Sequence, residues 1–497
     1  MGGGFDDQSE MKHLQGGCAM RLSLDFTIRS VRALLAVSVI GFAQSAVAQD
    51  PLGLLVPNPS ATPTTASGSE LWRLDPNSTG ASQAIVPTMT PLPPAQPPVA
   101  PSGAGPLLER STLTGDWGGY RSELQDDGVK VNLSTTQYYQ GVASGGVDQG
   151  FRYGGRNDYF LNFDGEKVGL WKGLFIDMHG ETRYGQSAYN LTGALLPPNL
   201  MMVVPQPTGT VTALTAVKVT QFLSEQMLVF GGRLNMFDGF VQPLTGATGL
   251  NGFMNTAMIF NPVLARTIPY STYGAGFAYL KDFEPVFSVA VIDTYNTPTV
   301  TGFDTFFNNG ATVVSALNVP TRFFGLPGHQ GVTGTYSSGT YNDLQPSPYF
   351  DPNQGPGIAL TNRTGSWSMT YNFDQALYAA PNDPKNIWGV FGSFGVSDGN
   401  PNPIRWCSNM GISGRSPLQG RSQDTFGAGY YYADVSNTIK EIAPKLLRLQ
   451  NEQGVEMFYN YAVTQWFHIT PDLQVIDPFR QRVDAGFLAG IRAKVDF

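Results

Sequence analysis

The 497 residues carry 30 Lys+Arg against 38 Asp+Glu, a net charge of −8. Only 14 % of the chain is charged, against roughly 25 % in soluble domains. No apolar run reaches the roughly 20 residues of a membrane helix, and no basic face offers itself to nucleic acid.

Residues 1–48 read as a leader ending in a secretory signal. Arg29 and Arg32 form its basic start, 33–43 is uncharged and mostly apolar, and Ala46-Val47-Ala48 supplies a small-x-small cleavage site. The 28 residues ahead of Arg29 are long for a signal, so Met20 is an alternative start. Cleavage removes Cys18 and leaves Cys407 as the single cysteine, which excludes an internal disulfide; no metal spacing is present. Residues 49–106 are rich in Pro, Ser, Thr and Ala and bury too little apolar surface to offset the entropy of ordering; they predict a disordered spacer.

From 107 to 497 the dominant signal is alternation with period two, which puts successive side chains on opposite faces of a strand. Phe487, Ala489, Ile491, Ala493, Val495 and Phe497 share one face at the end of the chain, and Arg492, Lys494 and Asp496 the other. The same pattern opposes Tyr159, Leu161 and Phe163 to Asp158, Asn162 and Asp164. It opposes Trp367, Met369, Tyr371 and Phe373 to Ser366, Ser368, Thr370 and Asn372, and Leu228, Phe230 and Leu234 to Arg233 and Asn235. With 58 Gly, 21 Tyr and 31 Phe, the expectation is an all-β fold. It is a transmembrane antiparallel barrel with its apolar face to lipid and its polar face to a water-filled lumen. The roughly 390 residues fit about 16 strands, with 14 or 18 also open. Long loops are expected over 191–211, 294–324, 325–362 and 400–423, each rich in Gly, Pro, Asn and Thr. A short helix is expected ahead of the first strand, with Asp116 as its N-cap, and another within 434–450.

Asp177, His179, Glu181 and Arg183 set four ionisable groups on one strand face. In a barrel such a row suits a mixed-charge constriction. Alternation adds Lys130, Lys218, Arg233, Asn235, Glu456 and Arg492 to the lumen face. Charged groups hydrogen-bond the hydroxyls of neutral sugars, and aromatic rings stack on their C–H faces. A catalytic reading lacks support: the chain past the signal holds His179, His329 and His468 alone and no G-x-S-x-G element. An anion-selective lumen would be strongly basic, and the charge balance is acidic.

Two clusters carry a family resemblance. The first is Gly115-Asp116-Trp117-Gly118-Gly119-Tyr120-Arg121 with Leu124 and Gly128. The second is Glu456, Tyr459-Asn460, Val463-Thr464, Trp466, Ile469-Thr470-Pro471-Asp472-Leu473-Gln474, Pro478, Gly490-Ile491-Arg492 and the terminal Phe497. Gly232-Arg233-Leu234-Asn235, Phe253-Met254-Asn255 and Tyr273-Gly274 lie between them. As an ordered set they resemble the carbohydrate-selective, OprB-like porins. The resemblance implies a 16-stranded outer-membrane porin of a Gram-negative bacterium passing glucose-like monosaccharides. Phe497 resembles the aromatic end read by barrel-assembly machinery. The expected partners are small neutral sugars, outer-membrane lipids and that machinery, with assembly into a homo-oligomer left open. No cofactor is called for. The spacer and the expected loops over 294–362 depart from the family's compact pattern.

Overall fold

The computed structural model describes residues 106–497, apart from 208, 240, 282–283, 346, 352–354, 360, 382 and 443–447. The expected signal and spacer, 1–48 and 49–106, lie outside the described residues except for Pro106.

Strands follow one another as β1 (Val129–Gly146), β2 (Gly150–Asp164), β3 (Leu174–Gly185), β4 (Val211–Ser224), β5 (Met227–Asn235), β6 (Ser271–Lys281), β7 (Glu284–Asp293), β8 (Ala311–Phe323) and β9 (Leu326–Asn342). Then come β10 (Ser347–Asp351), β11 (Gly355–Ala359), β12 (Asn362–Ala380), β13 (Asp383–Ser397), β14 (Ile404–Arg415), β15 (Thr425–Val435), β16 (Glu452–Ala462), β17 (Phe467–Asp477) and β18 (Asp484–Asp496). β10 and β11 pair only with each other, and the other sixteen close an antiparallel barrel in which sequence neighbours pair and β18 returns to β1. The seam sets Thr136 opposite Lys494 and Tyr138 opposite Arg492. Closure leaves no open edge, the condition for strands to cross a hydrocarbon layer.

The alternation sorts the two faces as read. Tyr139, Trp367, Met457 and Ile491 stand exposed on the outer surface, while Asp158, Ser368, Glu456 and Arg492 are buried inside. β5 is the exception. Leu228 and Phe230 are 1 % and 4 % exposed and point inward, whereas Met227 and Val229 are 39 % and 37 % exposed. Arg233 and Asn235 are buried as well, so the inward set changes parity between Phe230 and Arg233. Gly232 sits in that step at φ +122°, a conformation that disfavours side chains; a Cβ there would lie 2.3 Å from the Val217 carbonyl oxygen. The lipid-facing assignment of Leu228 and Phe230 is therefore corrected.

Three expected loops are shorter than read. β8 occupies most of 311–324, β9 most of 325–342, and β14 crosses the middle of 400–423. The 191–211 loop stands. A helix forms at Asn437–Ile442, within the expected 434–450.

Ahead of β1, helix α1 (Tyr120–Asp126) starts from Gly119, not Asp116, as its cap position. Asp116 still satisfies the helix start from further back: its carboxylate accepts the Ser122 backbone N–H at 2.8 Å and the Ser122 hydroxyl at 2.9 Å. Arg121 then ties α1 to the barrel seam, donating to the carbonyls of Phe497 at 2.6 Å and Val131 at 3.0 Å.

Candidate functional site: a lumen narrowed by two clamped loops

Two segments fold into the barrel instead of away from it. They are the β3–β4 connection (186–210) and the β5–β6 connection (236–270). Leu195, Leu196, Leu200 and Met202 of the first pack with Phe253, Met254, Met258, Val263, Leu264 and Ile268 of the second in one buried apolar cluster. That cluster also takes in wall residues Tyr138, Phe230, Ile292, Val314, Tyr431 and Phe458. The segments bond to each other, Leu200 N–H to the Met254 carbonyl at 3.0 Å and Thr256 N–H to the Pro197 carbonyl at 3.1 Å. The lumen thus contains a small protein core, which narrows the passage.

Charged wall side chains fasten that core by its backbone. Glu456 accepts the N–H groups of Met254 at 2.5 Å and Asn255 at 3.0 Å. Glu452 accepts those of Leu195 and Leu196, the second at 3.1 Å. Arg492 donates to the carbonyls of Gly249 at 3.3 Å and Gly252 at 2.8 Å. Arg183 donates to those of Pro205 at 3.1 Å and Pro207 at 2.6 Å. Arg233 holds the carbonyls of Thr297 at 2.6 Å and Val300, and so fastens the β7–β8 connection. Acids take donors and bases take acceptors, each at a buried position where an unpaired group would be costly.

Beside these clamps lies a compact ionic cluster. Arg156 bridges Asp158 at 2.7 Å and Glu181 at 2.8 Å. His179 stands between Asp158, 3.1 Å from its Nε2, and Asp238, 2.7 Å from its Nδ1, with the Phe160 ring stacked on it at 3.9 Å. Glu181 also accepts from Tyr270 at 2.6 Å, Asn235 at 2.8 Å and Thr215 at 3.1 Å. Asp238 and Tyr270 lie at the two ends of the 236–270 segment, so the cluster pins both ends of that loop to the wall. Asp158, His179 and Glu181 bring ligand-type atoms within 4.8 Å of one another. Arg156 already bridges the two carboxylates, so the group carries its own cation.

The ten residues singled out by alternation separate into two assemblies, one pair and one residue apart. His179, Glu181 and Asn235 meet in the ionic cluster. Arg183, Arg233, Glu456 and Arg492 are loop clamps. Asp177 and Lys218 pair with each other at 2.9 Å, and Lys130 is exposed at the start of β1. Arg156, Glu452, Asp238 and Tyr270 escaped the reading. Arg156 and Glu452 share the inward parity of Asp158 and Glu456 and were within reach of the same rule. Asp238 and Tyr270 had no periodic signal, because they sit in a connection.

Comparison with known proteins accords with this geometry. Residues 148–497 match the family model described as "Carbohydrate-selective porin, OprB family". Porin B of Pseudomonas aeruginosa is 22 % identical over 433 residues, covering 78 % of this chain and 91 % of its own. The high-pH structure of Pseudomonas putida OprB superposes with a TM-score of 0.68 at 21 % identity, covering 79 % of this chain and all of that one. Its low-pH structure gives 0.50 at 19 % identity. The chain belongs to the OprB family of carbohydrate-selective porins, and its closed sixteen-stranded barrel is an outer-membrane fold.

Proposed function

We propose that the protein is an outer-membrane porin for passive diffusion of small neutral sugars of monosaccharide size, exported through a signal peptide within 1–48. The observation that carries the size limit is the pair of loops packed into the lumen. The preference for neutral solutes rests on the state of the lumen charges. Arg156, Arg183, Arg233 and Arg492 are all engaged, by carboxylates or by backbone carbonyls. An anion-selective pore would instead present free cations along its path. Asp177, His179, Glu181, Arg183, Lys130, Lys218, Arg233, Asn235, Glu456 and Arg492 set the shape and field of the passage, most of them by holding the loops. We assign no chemical reaction to the chain.

The test is liposome swelling with mono-, di- and trisaccharides and with a charged monosaccharide acid of matched size. Fast entry of the neutral monosaccharide and slow entry of the others is expected. Equal entry of the trisaccharide, or of the charged acid, overturns the reading.

A further inference from the structure

A recess lies on the far side of the 236–270 segment from the ionic cluster, between that segment and the wall of β12, β13 and β14. Its wall carries a polar ladder, with Asn372 directly opposite Ser393 and Ser393 directly opposite Asn409 in register. All three are over nine-tenths buried, at 6 %, 7 % and 8 % exposure. The loop side contributes Gln242 and Asn261, and the rings of Phe253 and Phe391 stand at 5.4 Å and 59° to each other. Among the described residues, no charged side chain lines the recess.

Some of these groups are committed to structure. Asn261 donates to the Ser393 hydroxyl oxygen at 3.1 Å and to the Cys407 carbonyl at 3.0 Å. Asn409 donates to the Ala257 carbonyl at 2.5 Å. The Gln242 carbonyl oxygen accepts from Leu244 and Thr245, while its amide nitrogen is buried without a partner. Asn372 makes no side-chain hydrogen bond among the described residues, although it is 94 % buried and faces the recess. The Gln242 amide nitrogen, buried without a partner, is costly in an empty site. Together with the uncommitted Asn372 amide it becomes an asset when a ligand brings both a donor and an acceptor.

A sugar hydroxyl is both. It donates to the Asn372 or Asn409 carbonyl oxygen while accepting from the Asn372 or Gln242 amide, and the phenylalanine faces cover C–H surface. A charged solute would lose hydration and find no counter-charge. We propose that this recess is a binding station for a neutral monosaccharide, with Asn372 as its principal hydrogen-bonding residue. The proposal rests on the carbohydrate-porin reading and adds to it a site separate from the charged cluster.

The experiment uses the full barrel in planar bilayers, with glucose as the probe and block of ion current as the readout. Asn372→Leu keeps the side chain's size and removes both polar ends. It should raise the glucose concentration for half-block roughly three- to tenfold, the effect of a net neutral hydrogen bond, and leave ion conductance in sugar-free salt at the wild-type value. Asn372→Ser should fall between. In a second measurement, Asn372→Cys is labelled with a small water-soluble thiol reagent; Cys407 is fully buried and silent. Glucose should slow that labelling and a trisaccharide should not. Wild-type block by Asn372→Leu together with labelling of Asn372→Cys that ignores glucose overturns the station while the porin reading stands. Wild-type barrels that neither admit nor are blocked by glucose overturn both.

Discussion

Replacing Glu456 by Ala tests whether the wall carboxylates hold the inner loops in place. Glu456 is fully buried, and its two oxygens take the N–H groups of Met254 at 2.5 Å and Asn255 at 3.0 Å. Both recipients are 1 % exposed, so removing the carboxylate strands two buried donors. Each costs about 1–3 kcal/mol, together about 2–6 kcal/mol, which shifts the attached–detached equilibrium of this segment by roughly thirtyfold to 10⁴-fold. The Gly249 and Gly252 carbonyls on Arg492 and the Ala257 carbonyl on Asn409 remain tied, so the expected movement is local to 253–256. The barrel itself does not depend on this contact, because its ladders close without the loop. In planar bilayers Glu456→Ala should therefore conduct more ions per channel, with noisier open levels, and admit di- and trisaccharides in swelling assays. Glu456→Gln should lie between, since its amide keeps one acceptor and presents a donor to the other N–H. A heat-modifiable gel band confirms assembly of each variant. Wild-type conductance and wild-type exclusion of trisaccharide in the assembled Ala variant would refute the clamp.

Arg121→Ala removes the bonds from α1 to the Phe497 and Val131 carbonyls. The midpoint of heat-driven loss of the folded band should fall by a few degrees with conductance intact, and an unmoved midpoint rejects the seam role. Deleting Phe497, whose N–H bonds to the Leu133 carbonyl at 2.9 Å, should lower outer-membrane yield without impairing export, so unchanged outer-membrane yield counts against recognition of this residue. Glu181→Gln and Arg183→Gln remove opposite charges near the same constriction and should move the zero-current potential in a salt gradient in opposite directions. Two unmoved potentials would place this strand outside the conducting path.

The alternation made the barrel legible because a porin strand has two different solvents, and residues two apart see the same one. The last strand is the clearest instance, with lipid-facing Ile491 beside fully buried Arg492. The same rule put Asp158, Glu181 and Glu456 on the inner face. It failed where the inner face is not water. Leu228 and Phe230 point inward because the loop core covers them, and an apolar residue facing protein looks the same in sequence as one facing lipid. Strands were also lost where both faces are small or polar. β9 runs through Gly331, Gly334, Ser337, Ser338 and Gly339, a composition that reads as loop until its neighbours supply the ladder. The 236–270 connection gave no periodic signal at all. Its apolar residues serve a core that forms only when the 186–210 connection arrives from a different part of the chain.

The clamps also bear on why a lumen so rich in charge suits an uncharged solute. A carboxylate facing water in a pore gathers cations and sets up a field along the path. Glu452 and Glu456 instead face pairs of consecutive backbone N–H groups, and Arg183 and Arg492 face pairs of carbonyls. Each charge is met by fixed dipoles at 2.5–3.3 Å, with Leu195 bonded to Glu452 alongside. A charge met by oriented dipoles gathers fewer mobile counter-ions than one facing water, so its field along the passage is reduced without being abolished. The more accessible charges are paired in turn, Lys218 with Asp177 at 2.9 Å, Arg421 with Asp424 at 2.6 Å and Arg405 with Asp434 at 2.6 Å. Selection by such a lumen falls to width and to neutral hydrogen-bonding groups, of which the Asn372–Ser393–Asn409 ladder is the most available. Breaking a clamp should then do two things together: widen the passage and release a charge into it. Increased conductance accompanied by a new cation preference in loop variants that keep the carboxylate but lose its contact, for instance by inserting residues in 186–210 for Glu452 or in 236–270 for Glu456, would separate this account from one in which the carboxylates already act as the filter.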